Sequence, residues 1–471
     1  MAISWSELLP EPSKYNRVSF GNAADGETST VTYGYASATL NMSESTPATI
    51  MVTETEDIST YDYCGFLQEH HLLHSVLLSD LPYDTDIFYK INDLNSTDVF
   101  SFKTPPEKAA DEIRILVTAD MGDTEGHPAG SILQMDEQCK NVKEDELPVS
   151  LGFHVGDIAY NLDLPPSGDN YMFDISAMAT SFPWMYASGN HEADCNFTYN
   201  NYHGRFAAQN LTYSANSKSK NSGSSRFYSF EQGPVHFIMF DTDAYGFDEV
   251  AFILEEQYNW ITQDLESVDK AVTPFIFMMS HRPMYCSSIT GQKTSHLGYP
   301  KKTDADEEND KPEPANYGHG FRKLGFHPPA WKKDDMLTDV GDDTTCGCAD
   351  LIKNGMISEK DGSRSFGLEA LMDKHKVDIY FTGHEHNYER TWPVLNNKFV
   401  KSYDKPGMPV HIVTGAGGPY GKDTFGQAGP WDAFRSDEYS YTDVVVNRTH
   451  VVLKQRYSGN SKVFDEIVLT Q

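Results

Sequence analysis

Polar and apolar positions alternate with a period of two over residues 30–35, 49–53, 75–78 and 87–91, in stretches rich in β-branched and aromatic residues. Strands recurring at roughly ten-residue spacing predict a small β-sandwich over residues 1–106. Thr104, Pro105, Pro106 and Glu107 read as a linker. Beyond it the pattern changes. Apolar runs at 113–117, 152–155, 184–187, 235–240, 275–279 and 377–381 predict buried strands, joined by a strand at 228–230. Helices are expected at 128–142, 255–268 and 367–376. This alternation predicts an α/β unit over residues 107–471. Further strands are expected at 410–414, 444–446, 450–455 and 466–469. Residues 284–365 read as irregular and acidic, with the insertion proper at about 287–365. So long a stretch without pattern implies a lid, a specificity loop or a disordered insertion.

The predicted strands deliver polar clusters at their ends. Asp120 follows the first, Asp157 and Tyr160 the second, Asn190 and His191 the third, His281 a later one, and His384 and His386 the strand at 377–381. Each has an ordinary explanation alone, as a helix cap or a turn. Together they place oxygen and nitrogen donors along what reads as one edge of one sheet, where α/β folds bind ligands. Two Asp, one Asn, three His and one Tyr suffice for two adjacent cation sites, about 3.5–4 Å apart in two-metal enzymes, with Asp157 placed to bridge them. A phenolate is a hard anionic donor and favours a trivalent ion. A neutral Asn with two imidazoles suits a borderline divalent one. His70, His71 and His74 lie together in the β-rich part and read as an exposed edge or loop.

The formal net charge of −32 argues against nucleic acid or an anionic membrane as a partner through a basic face. An anionic substrate would need local positive charge, which bound cations supply. No apolar stretch is long enough for a transmembrane helix. The six cysteines, Cys64, Cys139, Cys195, Cys286, Cys346 and Cys348, match no zinc spacing. Sequons at Asn41, Asn95, Asn196, Asn210 and Asn447 hint at a glycosylated, secreted protein, yet no signal-peptide pattern opens the chain.

Asp120-Met-Gly, Gly156-Asp157-Ile-Ala-Tyr160, Gly189-Asn190-His191-Glu192, the strand-end His281 and Gly383-His384-Glu-His386 resemble, in order, the five blocks of the purple acid phosphatases, within the calcineurin-like metallophosphoesterases. The stretches at 228–237, 281–287 and 388–393 also look like family sequence, so the resemblance covers nearly the whole chain. It implies a β-sheet sandwich flanked by helices, preceded by a fibronectin-III-like domain. It implies an acid phosphatase that hydrolyses phosphate monoesters with a metal-bound hydroxide at an Fe(III)–M(II) centre. The ferric site would use Asp120, Tyr160 and His386. The divalent site, for Zn2+, Mn2+ or Fe2+, would use Asn190, His281 and His384, and Asp157 would bridge. His191 is the catalytic candidate, to hydrogen-bond the phosphate or assist the leaving group. Glu192 would orient His191 or be structural.

The resemblance further implies small phosphate-ester substrates, no membrane insertion, and an extracellular, lysosomal or vacuolar location. A homodimer stays open as the assembly state. Other readings are a phosphodiesterase or phytase on the same centre, or a catalytically dead metal-binding or adhesive protein. Three departures stand out. Plant members carry a histidine pair shortly after the strand-end His, which residues 285–290 lack. His296, His319 and His327 are the substitutes at hand, and the general acid stays unassigned. The acidic insertion is long, and Cys286 could pair with Cys346 or Cys348 at its base. Met1-Ala-Ile-Ser-Trp5 resembles the middle of the fibronectin-like domain, so the chain is expected to be truncated at its N-terminus.

Overall fold

The computed structural model describes residues 2–8, 20–22, 28–47, 49–57, 62–92, 97–104, 111–123, 131–140, 146–160, 162, 167–193, 198–211, 222–245, 251–289, 349–357, 364–418 and 422–471. Up to residue 104 the chain forms two four-stranded sheets. One orders Ala2–Leu8, Asp62–Leu77, Thr49–Asp57 and Phe20–Asn22; the other orders Met42–Pro47, Thr28–Gly34, Asp86–Ile91 and Phe100–Lys103. Their period-two pattern sends Val31, Tyr33, Ile87, Tyr89 and Ile91 inward, against Ile3 and Val76 of the facing sheet. The histidine stretch corrects the sequence reading. It lies on an interior strand paired on both sides, and His74 is buried, its Nδ1 2.8 Å from Ser29 Oγ. The expected linker lies, beyond Thr104, outside the described residues.

The remainder builds two larger sheets packed face to face. The first orders Trp184–Ala187, Leu151–Val155, Glu112–Thr118, Ser440–Asn447, His450–Tyr457 and Val463–Thr470. Its first three strands run parallel and the rest antiparallel. The second orders Tyr228–Gln232, Val235–Met239, Phe275–Met279, Ile379–Thr382, Val410–Thr414, Tyr388–Thr391 and Asp432–Ser436. Four consecutive strands at its centre are parallel.

Alternation decides which core each side chain joins. Ile113, Ile115 and Val117 face Phe277, Met279, Phe381 and Ile412 between the sheets, while Leu116 turns outward to Ile132, Tyr171 and Ile175 of the helices Ser131–Lys140 and Ser167–Ala179. On the far side Ile276 and Met278 meet Ile261, Leu265, Leu371 and Met372 of Leu254–Ser267 and Glu369–His375. Strands buried on both faces read as unbroken apolar runs, which is why the sequence shows them. The helix Ser167–Ala179 and the strands Tyr388–Thr391 and Asp432–Ser436 were not expected. Within the stretch read as irregular, Ala349–Asn354 is helical and Gly355–Ile357 pairs with Arg364–Phe366; residues 290–348, with His296, His319 and His327, lie outside the described residues.

A buried ion pair ties the second sheet to its helix. His236 Nε2 lies 2.8 Å from Asp264 Oδ2, and Ser229 donates to Asp264 Oδ1 at 2.6 Å. Burial alone would lower His236, but the Asp264 charge overrides it and pushes the imidazole up to about 9. A raised histidine stabilises the fold fully below its unfolded value near 6.5 and ceases to as pH rises through 9. His236→Gln should therefore lower the unfolding free energy by about 3 kcal/mol at pH 6 and far less at pH 10, read by urea denaturation. An equal loss at both pH values would contradict the charged pair.

Candidate metal centre

Asp120, Asp157, Asn190, His281 and His384 each fall two or three residues past a strand: Glu112–Thr118, Leu151–Val155, Trp184–Ala187, Phe275–Met279 and Ile379–Thr382. The loops come from both sheets. This corrects the reading of one edge of one sheet: the first sheet supplies the oxygens of Asp120, Asp157, Tyr160 and Asn190, the second the imidazoles of His281, His384 and His386. Cross-loop hydrogen bonds fix the register. Asp120 N donates to Gly156 O at 3.1 Å and Gly383 N to His281 O at 2.8 Å.

The backbone is bent hard here. Asp120 (φ 55), Asp157 (φ 51), Tyr160 (φ 47) and His384 (φ 70) all sit in the left-handed region, which non-glycine residues occupy at a cost and mainly where surroundings over-determine them. Adjacent glycines leave room. A methyl at Gly383 would lie 2.3 Å from Asp120 Oδ2, and one at Gly189 2.4 Å from Asp157 Oδ1.

The seven residues gather into two groups. Tyr160 Oη donates to Asp120 Oδ1 at 3.1 Å and lies 2.9 Å from His386 Nε2, which is 3.6 Å from the same carboxylate oxygen. In the other group His281 Nε2 is 3.2 Å from each of Asp157 Oδ2, Asn190 Oδ1 and His384 Nδ1. One ligand atom from each of Asp157, His281 and His384 lies within 4.8 Å of the others. The donor set fits hard and borderline cations: carboxylates, a phenol, an amide oxygen and imidazoles converge.

The charges of these groups depend on one another. Burial, and then Asp157, raise Asp120 well above the carboxylate range, although His281 opposes them. Burial disfavours the Asp157 charge too, but His281 and His191 outweigh it and hold that group low. Tyr160 is held neutral by burial and by both carboxylates. A cation between these groups would reverse that balance. His191 Nε2 is 3.9 Å from Asp157 Oδ2, its ring lies edge-on to Tyr160 with centroids 4.7 Å apart, and its side chain keeps 21% exposure, at the rim.

Several supports surround these groups, and of them the sequence singles out only Glu192. The Glu192 carboxylate accepts from Asp157 N (2.8 Å), Ile158 N (2.7 Å) and Gly189 N (2.8 Å), locking two loops together. Burial, then the Asp157 charge, push it up to about 8. Asp423 accepts from His386 N at 2.6 Å. Arg282 reaches Asn190 and His384 while gripping Asp243. Glu192 and Arg282 adjoin motif residues, the one signal that pointed to them; Asp243 and Asp423 carry none. Cys286 is disulfide-bonded, with its partner outside the residues whose side chains are described.

A sequence profile of calcineurin-like phosphoesterases matches residues 113–388, and one described as iron/zinc purple acid phosphatase-like protein C matches residues 408–466. The chain belongs to the calcineurin-like phosphoesterases, in their purple acid phosphatase branch. It is 31% identical over 332 residues to acid phosphatase type 7 of Mus musculus, covering 67% of this chain and 59% of that relative's length. To acid phosphatase type 7 of Danio rerio it is 28% identical over 424 residues, covering 85% and 77%. A purple acid phosphatase from yellow lupin (Lupinus luteus) seeds shares the fold, with a TM-score of 0.62 at 18% identity over 100% of this chain and 72% of that one.

Glu192→Ala should lower the unfolding free energy by about 3 kcal/mol, read by urea denaturation, since three buried N–H groups lose their acceptor. Gly383→Ala should fold yet bind clearly less metal than wild type, by elemental analysis. Full metal content in Gly383→Ala would show that the close approach to Asp120 is dispensable.

Proposed function

We propose that the chain is an acid phosphatase acting on small phosphate monoesters at a two-cation centre. Asp120, Tyr160 and His386 would hold a ferric ion, Asn190, His281 and His384 a zinc, manganese or ferrous ion, with Asp157 shared. The observation that carries this is the division of the seven side chains into one oxygen-rich group around Tyr160 and one imidazole-rich group around His281, with Asp157 reaching the second and Asp120 the first. The relatives named acid phosphatase type 7 support the monoester reading.

When bound, the cation pair supplies Lewis acidity toward phosphate oxygens and makes water at the centre more acidic. The chain's own residues do the rest. Asp120 and Asp157 provide the buried negative charge that retains cations. Glu192 keeps the Asp157 and Asn190 loops at a fixed separation. His191, at the rim and with its backbone N–H on Asp157 Oδ1 at 2.9 Å, is placed to donate to a phosphate oxygen or to the departing alkoxide.

The two small sheets up to residue 104 support a fibronectin-III-like domain over 1–106 ahead of a catalytic unit over 107–471. The sequon residues Asn41, exposed, and Asn447, half-buried, support a secreted, lysosomal or vacuolar glycoprotein. Among the described residues no helix is long and apolar enough to cross a membrane.

The purified protein should carry close to one iron and a second metal and show a broad visible absorption band that Tyr160→Phe abolishes. It should hydrolyse p-nitrophenyl phosphate, and His191→Ala should lower kcat about 100-fold or more with metal content retained. A colourless protein with two divalent ions would overturn the ferric-tyrosinate assignment, and one that binds no metal after reconstitution would overturn the enzyme reading.

A further inference from the structure

The residue after His281 is an arginine whose every joint is pinned. Arg282 N donates to Thr242 Oγ1 at 2.8 Å, and its carbonyl accepts from Tyr380 Oη at 2.7 Å. Its Nε donates to Asp243 Oδ1 at 2.7 Å. Asp243 is fully buried, with its own N–H on Asp241 Oδ1 at 2.7 Å. Asp241 is in turn held by Arg226 Nε at 2.6 Å and Ser188 Oγ at 2.7 Å. This chain of contacts leaves the guanidinium fork facing the centre. Nη1 is 2.8 Å from His384 Nε2 and Nη2 is 3.2 Å from Asn190 Oδ1. The residue is 8% exposed, so it is a placed charge, not a surface one.

Asp243 takes the Nε side of the guanidinium, and the two Nη nitrogens face a centre where an anionic substrate would sit between them and the cations. The hydrogen bonds sharpen the point. His384 Nδ1 faces His281 Nε2 at 3.2 Å. An imidazole that gives its Nδ1 lone pair to a cation carries its proton on Nε2, and Nε2 then stops accepting from Arg282. A cation held by His384 Nδ1 would therefore leave the Nη1 donor of Arg282 for an anion. An arginine fork suits phosphate oxygens geometrically as a lysine does not.

The geometry points to Arg282 as a phosphate-binding residue that favours phosphomonoesters over diesters, with Asp243 as its positioning residue. This rests on the phosphatase reading above. A terminal phosphoryl group has three non-bridging oxygens, so two can face the cations while the third takes the fork. A diester has only two such oxygens and leaves the fork without a partner.

The test uses metal-loaded full chain, with Arg282→Ala, Arg282→Lys and Asp243→Asn beside wild type. Inorganic phosphate affinity is read by calorimetry, metal content by elemental analysis, and kcat/KM with p-nitrophenyl phosphate and bis(p-nitrophenyl) phosphate. Arg282→Ala should bind phosphate at least about tenfold more weakly and reduce the monoester-to-diester ratio of kcat/KM by a similar factor, with both metals retained. Arg282→Lys should fall between. Asp243→Asn should raise KM for the monoester more than it lowers kcat. Unchanged phosphate affinity and substrate ratio in Arg282→Ala would overturn the proposal. So would metal loss in both Arg282 variants with unchanged phosphate affinity in the fraction that stays loaded, which would make Arg282 a support for His384. A wild-type protein that neither binds phosphate nor hydrolyses either ester would instead overturn the phosphatase reading itself.

Discussion

The Glu192 carboxylate is the constraint on which the centre rests. It is buried and receives three backbone N–H groups from two different loops. It ties the turn that presents Asp157 in a left-handed conformation to the turn that presents Asn190, alongside the bond from His191 N to Asp157 Oδ1. Strain of that kind persists only when the surroundings leave no alternative. The two sheets provide the rest of the frame, because their inner faces are filled with large apolar side chains whose packing allows little relative sliding. The centre is thus rigid for two reasons of different range: packed sheets at long distance and one carboxylate at short distance.

Much of this was legible from residues alone. The central strands announce themselves because burial on both faces forces unbroken apolar runs, as at Phe275–Met279. The site residues were legible because each follows such a run directly. The sheet assignment was not. Nothing in the spacing of Asp120, Asp157 and His281 tells whether their strands neighbour one another, since pairing is decided by contacts hundreds of residues apart. Tyr388–Thr391 was not expected as a strand for another reason. Glu389 and Arg390 interrupt any apolar run there, yet both are buried: Arg390 is paired with Asp465 at 2.6 Å and Glu389 accepts from Ser287 N at 2.7 Å. Buried charges with partners far along the chain disguise a core strand.

The same blindness hid Asp243 and Asp423. Each supports a motif residue from a loop with no pattern of its own. Their meaning exists only in three dimensions, where Asp423 meets His386 N and Asp243 meets Arg282 Nε. Glu192 was visible as a candidate but with its role open, and the fold shows its carboxylate organising the backbone of two loops.

The first sheet joins Glu112–Thr118 directly to Ser440–Asn447, and Arg114 holds Asp443 across 329 positions at 2.8 Å. A ribosome releases these two strands far apart in time. During that interval the strand that presents Asp120 has one edge without a neighbour, offering unpaired backbone groups to any passing chain. Completion of the first sheet therefore waits for residues 440–447, and until they arrive that edge is open to pairing with another chain.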